Sequence, residues 1–254
     1  YLKLYNFVSF TFLIDKLIDS STNTLYMIRI EGKNALITGS SRGIGQQVAL
    51  GLAQQGCNII VHGRSKESTH KTMELLKAYK VKTYPVFGDL SEEAQVNRLI
   101  QQVESLQIPV AILYNNAGIM RPYREDIWTH SYEDWILTYK VNVVAMYLLC
   151  SAFIPKMIKN NFGRVVNVTS RIMDQPQLAP YGASKWAVDK LTQEIAVSLK
   201  DTKVRINYLD PSWLRTDLGG EFAFNPVEAV LPGALAPVLI EDDGPNGQFF
   251  SAIE

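Results

Sequence analysis

Asn34-Ala35-Leu36-Ile37-Thr38-Gly39-Ser40-Ser41-Arg42-Gly43-Ile44-Gly45 joins a short apolar run to a cluster of glycines. Behind it, Ile44, Val48 and Leu52 recur at helical spacing up to Gly56. The stretch therefore reads as a buried strand, Asn34–Thr38, a tight turn and a helix. Glycine permits positive φ and lets a backbone approach a ligand closely. The first turn of the helix offers unpaired N–H groups and a partial positive charge to an anion. A glycine turn alone is compatible with any sharp bend. Its place between an apolar strand and a helix favours a pyrophosphate, held by Gly39, Ser41, Arg42, Gly43, Ile44 and Gly45.

Outward from this turn, strand and helix patterns alternate. Further strands are expected at Asn58–Val61, Thr83–Phe87, Val110–Tyr114, Arg164–Val168, Val204–Leu209 and Gln248–Phe250. Helices are expected at Lys66–Lys80, from Ser91 to about Leu106, at Tyr132–Lys159 with a break near Pro155, and at Tyr181–Lys200. Ser91 reads as an N-cap ahead of Glu92 and Glu93. Continuous apolar strands alternating with helices predict an α/β fold, a doubly wound, Rossmann-like parallel sheet of about seven strands. Residues 27–254 read as one domain. Gly219–Gly247 is rich in proline and glycine and is expected to be loop, a candidate substrate-facing flap. Residues 1–26 precede the first Met and read as an N-terminal extension outside the core; a partner-binding helix and a targeting signal are the alternatives.

Among 254 residues, Lys+Arg and Asp+Glu are 25 each, so the net charge is zero. That balance argues against nucleic acid and anionic membranes as partners. No apolar run reaches the ~18 residues of a membrane span, and a cytoplasmic location is expected. Cys57 and Cys150 cannot build a disulfide framework, and the cysteines and His62, His70 and His130 lack metal-ligand spacing, so no metal is expected. His62, near the end of the second strand, is expected at the surface.

The turn spacing Thr38-Gly39-x-x-x-Gly43-x-Gly45 is followed by a series of further motifs. They are Asp89 with Leu90, Asn115-Asn116-Ala117-Gly118, Asn142 in Lys-Val-Asn-Val, Ser170, Tyr181-x-x-x-Lys185, and Asp210-Pro211-Ser212-Trp213 with Thr216. In this order they resemble the short-chain dehydrogenase/reductase family over about residues 30–250. The resemblance implies that Asp89 holds an adenine, that Asn116, Ala117 and Gly118 border a dinucleotide, and that Pro211, Ser212, Trp213 and Thr216 lie on its nicotinamide side. It also implies that Lys185 holds the nicotinamide ribose, that Asn142 anchors a water chain for proton delivery, and that the protein is a homodimer or homotetramer.

Tyr181 and Lys185 are four apart and share a helix face. A nearby ammonium favours a phenolate, so the Tyr181 pKa is expected to fall by two to three units from about 10. Tyr181 would then donate a proton in carbonyl reduction and accept one in alcohol oxidation. Ser170 would orient the substrate oxygen. At the end of the second strand, where an NAD site places an acid, the chain carries Gly63 and then Arg64. Arg64 and Arg42 are positioned to converge on a 2′-phosphate, which predicts NADP(H), with NAD(H) as the alternative. The expected reaction is hydride transfer between NADP(H) and a small carbonyl or alcohol, with pocket walls from residues 119–127, 172–179 and 213–224 suggesting an apolar or aromatic compound. An NAD(H)-dependent alcohol dehydrogenase, an epimerase or dehydratase, and a non-catalytic dinucleotide sensor are the competing readings. Two departures stand out: Ser212 where the family has Gly, and a short interval from Ser170 to Tyr181.

Overall fold

The computed structural model describes residues 28–253, together with the backbone of Ile18–Asp19 and Thr24–Leu25, which pair antiparallel. The expectation for residues 1–26 otherwise lies outside the described residues.

Seven strands form one sheet: β1 (Asn34–Ile37), β2 (Asn58–Gly63), β3 (Thr83–Phe87), β4 (Val110–Asn115), β5 (Gly163–Val168), β6 (Val204–Asp210) and β7 (Phe249–Ser251). Helices between them are α1 (Gly43–Gln54), α2 (Lys66–Leu76), α3 (Glu93–Ser105), α4 (Tyr132–Tyr139), α5 (Met146–Lys159), α6 (Ala179–Ser198) and the short α7 (Ala236–Leu239). The spatial order is β3-β2-β1-β4-β5-β6-β7, with every neighbour parallel. The winding reverses between β1 and β4, so their carboxyl ends flank the crevice where such sheets take ligands.

Each central strand divides its side chains between two cores. Ala35 and Ile37 join Val48 and Leu52 of α1 on one face; Leu36 joins Leu149 and Phe153 of α5 on the other. Ile59 and Val61 against Ile60, and Ile112 and Tyr114 against Leu113, repeat the alternation. Covered on both faces, these strands have no reason to alternate apolar with polar residues. Each fully buried Leu or Ile contributes about 2 kcal/mol from area burial.

Several local expectations are corrected. Ser91 is not the N-cap of α3; Glu92 is, and Ser91 instead donates its N–H and O–H to Asp89 Oδ1 at 2.8 and 2.7 Å. The long helix does not break at Pro155, which lies inside α5. It widens upstream into a π-helical segment, Lys140–Ala145, around Asn142, whose side chain bonds outside its own helix. Tyr132–Lys159 is also long and apolar enough to cross a membrane by length and composition, contrary to the sequence reading, with half of its apolar window buried inside the fold.

Most of Gly219–Gly247 is not a flap. Val230 and Ala234–Ile240 are buried in the first core, against α1 and the sheet. Arg164, with no exposed surface, holds this segment from β5: Nε and Nη2 donate to Ile240 O at 3.1 and 2.9 Å, and Nη2 to Asp242 at 2.8 Å. Prolines and glycines mark it as irregular, but burial is decided by which groups answer it across the fold.

Candidate active site

The glycine turn sits at the switch point and is tied from three sides. Gly39 has φ 63°, and a Cβ there would lie 3.0 Å from Ala117 Cα. A Cβ on Gly45 would come within 2.5 Å of both Asn116 Nδ2 and Gly39 O. These positions admit only glycine without a shift, and leave a cradle of backbone at the start of α1. Thr38 Oγ1 accepts the N–H groups of Asn116 and Ala117, both at 3.0 Å. Asn116 Nδ2 returns bonds to Thr38 O and Gly39 O at 2.9 and 3.2 Å. The residues present fit a dinucleotide: a side-chain-free cradle and a helix N-terminus for phosphates, with Asp89 and Leu90 at the end of β3.

His62 is not at the surface as expected. It is 2% exposed. Its Nδ1 accepts the Gly39 N–H at 3.0 Å, and its Nε2–H therefore donates to Gly88 O at 3.0 Å. Its own N–H donates to Ser40 Oγ, and its carbonyl accepts from Ser40 N–H, each at 3.0 Å. Burial pushes the imidazole pKa down to about 4, so the ring is neutral and bridges the glycine turn to the end of β3. Sequence reasoning missed it; the signal was its place in an otherwise buried strand run. For Asp89, burial alone raises the carboxyl pKa, but the two Ser91 bonds, Arg64 and His62 bring it below its ordinary value.

A Cβ on Gly63 would meet Ser68 Oγ and sit 3.0 Å from Thr69 Cγ2, so a larger residue there would require Ser68 to turn aside. Arg64, next to Gly63, is exposed. Arg42 is also exposed but pairs with Asp217 at 2.9 Å. The loop after β6 thus reaches the glycine turn. Thr216 belongs to the same contact, since a Cβ on Gly43 would lie 3.6 Å from its methyl. Ser212 has φ 68°, the left-handed region its Cβ disfavours. Trp213 Nε1 donates to Gly219 O at 2.7 Å, and its ring meets Phe224 edge-on at 5.0 Å.

Tyr181 lies in the first turn of α6, behind Pro180, and is 9% exposed. Its hydroxyl faces the side chain of Ser170, which follows β5 and whose Oγ accepts the Ile172 N–H at 3.2 Å. Lys185, one turn on and 4% exposed, donates from Nζ to Val168 O at 2.9 Å, with Nζ 5.6 Å from the Tyr181 ring centroid. The expected acidification is not found in the protein alone. Burial, with Asp210 adding to it, pushes Tyr181 up to about 12, partly offset by the Ser170 side chain. Burial brings Lys185 down to about 8. The ammonium is directed at a backbone carbonyl rather than at the phenol. Asn142 Oδ1 accepts the Ile119 N–H at 2.8 Å, while Nδ2 donates to Ile119 O at 3.0 Å and Ser184 Oγ at 2.9 Å. It fastens the end of the Asn115–Gly118 turn to α6; a Cβ on Gly118 would lie 3.3 Å from Lys185 Nζ.

Part of the expected pocket walls is exposed. Tyr123, Met173, Phe222 and Phe224 are exposed on the loops after β4, β5 and β6. A cavity of about 630 Å³ lined by Asn161, Lys203, Arg205 and Asp242 lies at the amino-terminal ends of β5 and β6, away from these residues. Burial pushes the thiols of Cys57 and Cys150 up to about 12, so neither is a nucleophile at neutral pH.

A family profile described as short chain dehydrogenase matches residues 33–224. Gluconate 5-dehydrogenase of Gluconobacter oxydans is 32% identical over 76% of this chain and 75% of its own. The 3-oxoacyl-acyl-carrier-protein reductase FabG of Aquifex aeolicus is 32% identical over 75% of this chain and 77% of its own. Among solved structures, a gluconate 5-dehydrogenase from Burkholderia cenocepacia in complex with NADP and tartrate superposes with a TM-score of 0.77, 29% identical over 88% of this chain and 94% of that one.

Proposed function

The chain belongs to the short chain dehydrogenase family of oxidoreductases, and from that premise we propose that it is an NADP(H)-dependent enzyme interconverting a small carbonyl compound and its alcohol. One observation carries the reading: Ser170 faces Tyr181, with Lys185 one turn away, at the carboxyl end of the same sheet that bears the glycine cradle. When bound, NADP(H) supplies or accepts the hydride.

Ser170 holds the substrate oxygen and Tyr181 gives it a proton in reduction, or takes one in oxidation. Lys185 would hold the nicotinamide ribose, and its ammonium would favour the Tyr181 phenolate. Asn142 keeps Ile119 in place and anchors the proton path. The backbone of Gly39–Gly45 and Ser41 holds the phosphates, Asp89 the adenine, and Pro211–Thr216 the nicotinamide side. Arg64 and Arg42 would hold the 2′-phosphate. Gly63 in place of an acid for the ribose 2′-OH, with exposed Arg64 beside it, supports NADP(H) over NAD(H).

Exposed apolar side chains on the loops after β4, β5 and β6, Tyr123, Met173, Phe222 and Phe224, support an apolar or aromatic carbonyl in place of the polyhydroxy acids for which the gluconate dehydrogenases are named. Exposed Val144 and Tyr147, and exposed Trp186 on α6, support a homodimer or homotetramer assembled through the long helices. The test is loss of NADPH absorbance across a panel of aldehydes and ketones. Turnover with an aromatic ketone that exceeds turnover with 5-ketogluconate is the expected result. Silence across the panel sinks the proposal.

A further inference from the structure

Asp210 closes β6, and its two carboxylate oxygens serve two different loops. Oδ1 accepts the Ser212 N–H at 2.8 Å, and Oδ2 accepts the Arg171 N–H at 3.0 Å. Arg171 directly follows Ser170. Ser212 begins the loop that reaches Gly43 through Thr216, and it is the residue held at φ 68°. One side chain thus joins the strand end carrying the serine to the loop lying over the dinucleotide cradle. Charge-assisted bonds from a carboxylate to N–H groups are strong enough to hold a backbone in an unfavoured conformation.

The groups facing Asp210 are Arg171 on the loop after β5, and Tyr181, Lys185 and Asp189 on α6. The Arg171 guanidinium pairs with Asp189 at 3.3 Å and lies over the Phe249 ring at 3.8 Å. Asp210 meets Arg171 through its backbone N–H and through the guanidinium charge, while its own charge also acts on the phenol and the ammonium.

We propose that Asp210 is a positioning residue: it clips the Ser170 loop to the Ser212–Thr216 loop and sets its carboxylate toward Tyr181 and Lys185, favouring proton donation by the phenol. A carboxylate beside a phenol disfavours the phenolate. Burial raises the Asp210 carboxyl itself, partly offset by the Ser212 and Arg171 bonds. The inference rests on the oxidoreductase reading given above.

Asp210→Asn removes the charge and, in either amide orientation, one of the two acceptors. Asp210→Glu keeps the charge and displaces the clip. The first readout needs no substrate: the tyrosinate absorbance of Tyr181, taken as the difference between each protein and its Tyr181→Phe derivative during alkaline titration. In D210N the phenolate should appear roughly one pH unit lower than in the wild type, and the alkaline limb of kcat for reduction should move down with it. In D210E both should stay, while kcat drops about tenfold through the displaced Ser170. An unmoved phenolate in D210N overturns the electrostatic role. Wild-type kcat in D210E overturns the clip, and that variant decides it if D210N does not fold. A wild-type enzyme silent toward every carbonyl overturns the oxidoreductase reading, while the titration still judges Asp210.

Discussion

The two loops that meet over α1 are built on opposite principles. The glycine turn is held by Thr38, Asn116, His62 and Ser40, with its polar atoms paired among residues that are buried or nearly so. The loop after β6 is mostly exposed, carries Phe222 and Phe224 at 80% and 79% exposure, and keeps Ser212 in an unfavoured conformation. The first arrangement is rigid because each alternative would strand a buried donor or acceptor. The second has little burial to lose by moving. A constant dinucleotide calls for the first kind of surface and a variable substrate tolerates the second.

This contrast can be broken most forcefully at the boundary between the halves. Tyr181→Phe should lower kcat by about a thousandfold, while NADPH affinity, followed by cofactor fluorescence, stays within about twofold. A parallel loss of affinity would mean that the two halves are not separable.

The rigidity of the turn is tested at His62. Its folded pKa, about 4, lies below the unfolded value near 6.5. The unfolded chain therefore takes up the proton first. The stability associated with the neutral ring is complete above pH ~6.5 and declines as pH falls toward 4, by about 3 kcal/mol. Denaturant unfolding at these two pH values should show that slope in the wild type and its loss in His62→Phe, together with weaker NADPH binding. An identical slope in the variant would remove His62 from the account.

Arg64→Ala should reduce the NADPH over NADH preference in kcat/KM by about tenfold, the value of one charge-assisted phosphate contact. An unchanged ratio would refute the proposed 2′-phosphate site. The smallest effect is expected in the loop after β6. Ser212→Gly should raise stability by up to about 1 kcal/mol in thermal unfolding, by relieving the positive φ. Destabilisation would indicate that the serine side chain makes a compensating contact.

Strand positions were legible in the sequence because a parallel sheet covered on both faces favours apolar runs, which β1, β2 and β4 supply in Ala35–Ile37, Ile59–Val61 and Val110–Tyr114. The four-residue interval from Tyr181 to Lys185 was legible for the same kind of reason, being a local consequence of helical pitch. Less local properties were misread. His62 stands in a buried strand run, but nothing near it in sequence shows that its ring bridges Gly39 and Gly88. Val230–Ile240 looks like flap until Arg164, far away in sequence, binds Ile240. Pro155 suggested a helix break, yet the irregular turn forms where Asn142 is drawn to Ile119 and Ser184.

By itself, then, the chain of residues determined the alternation of strands and helices, the glycine bend between β1 and α1, and the presence of Ser170, Tyr181 and Lys185 in family order, since periodicity and short-range sterics act within a few residues. Only the tertiary structure decided that His62 braces Gly39, that Asp210 joins two loops, and that Lys185 points at Val168 O while Tyr181 remains a weak acid. Each of those depends on desolvation and on partners contributed by distant segments, quantities that do not exist until the chain has closed around them.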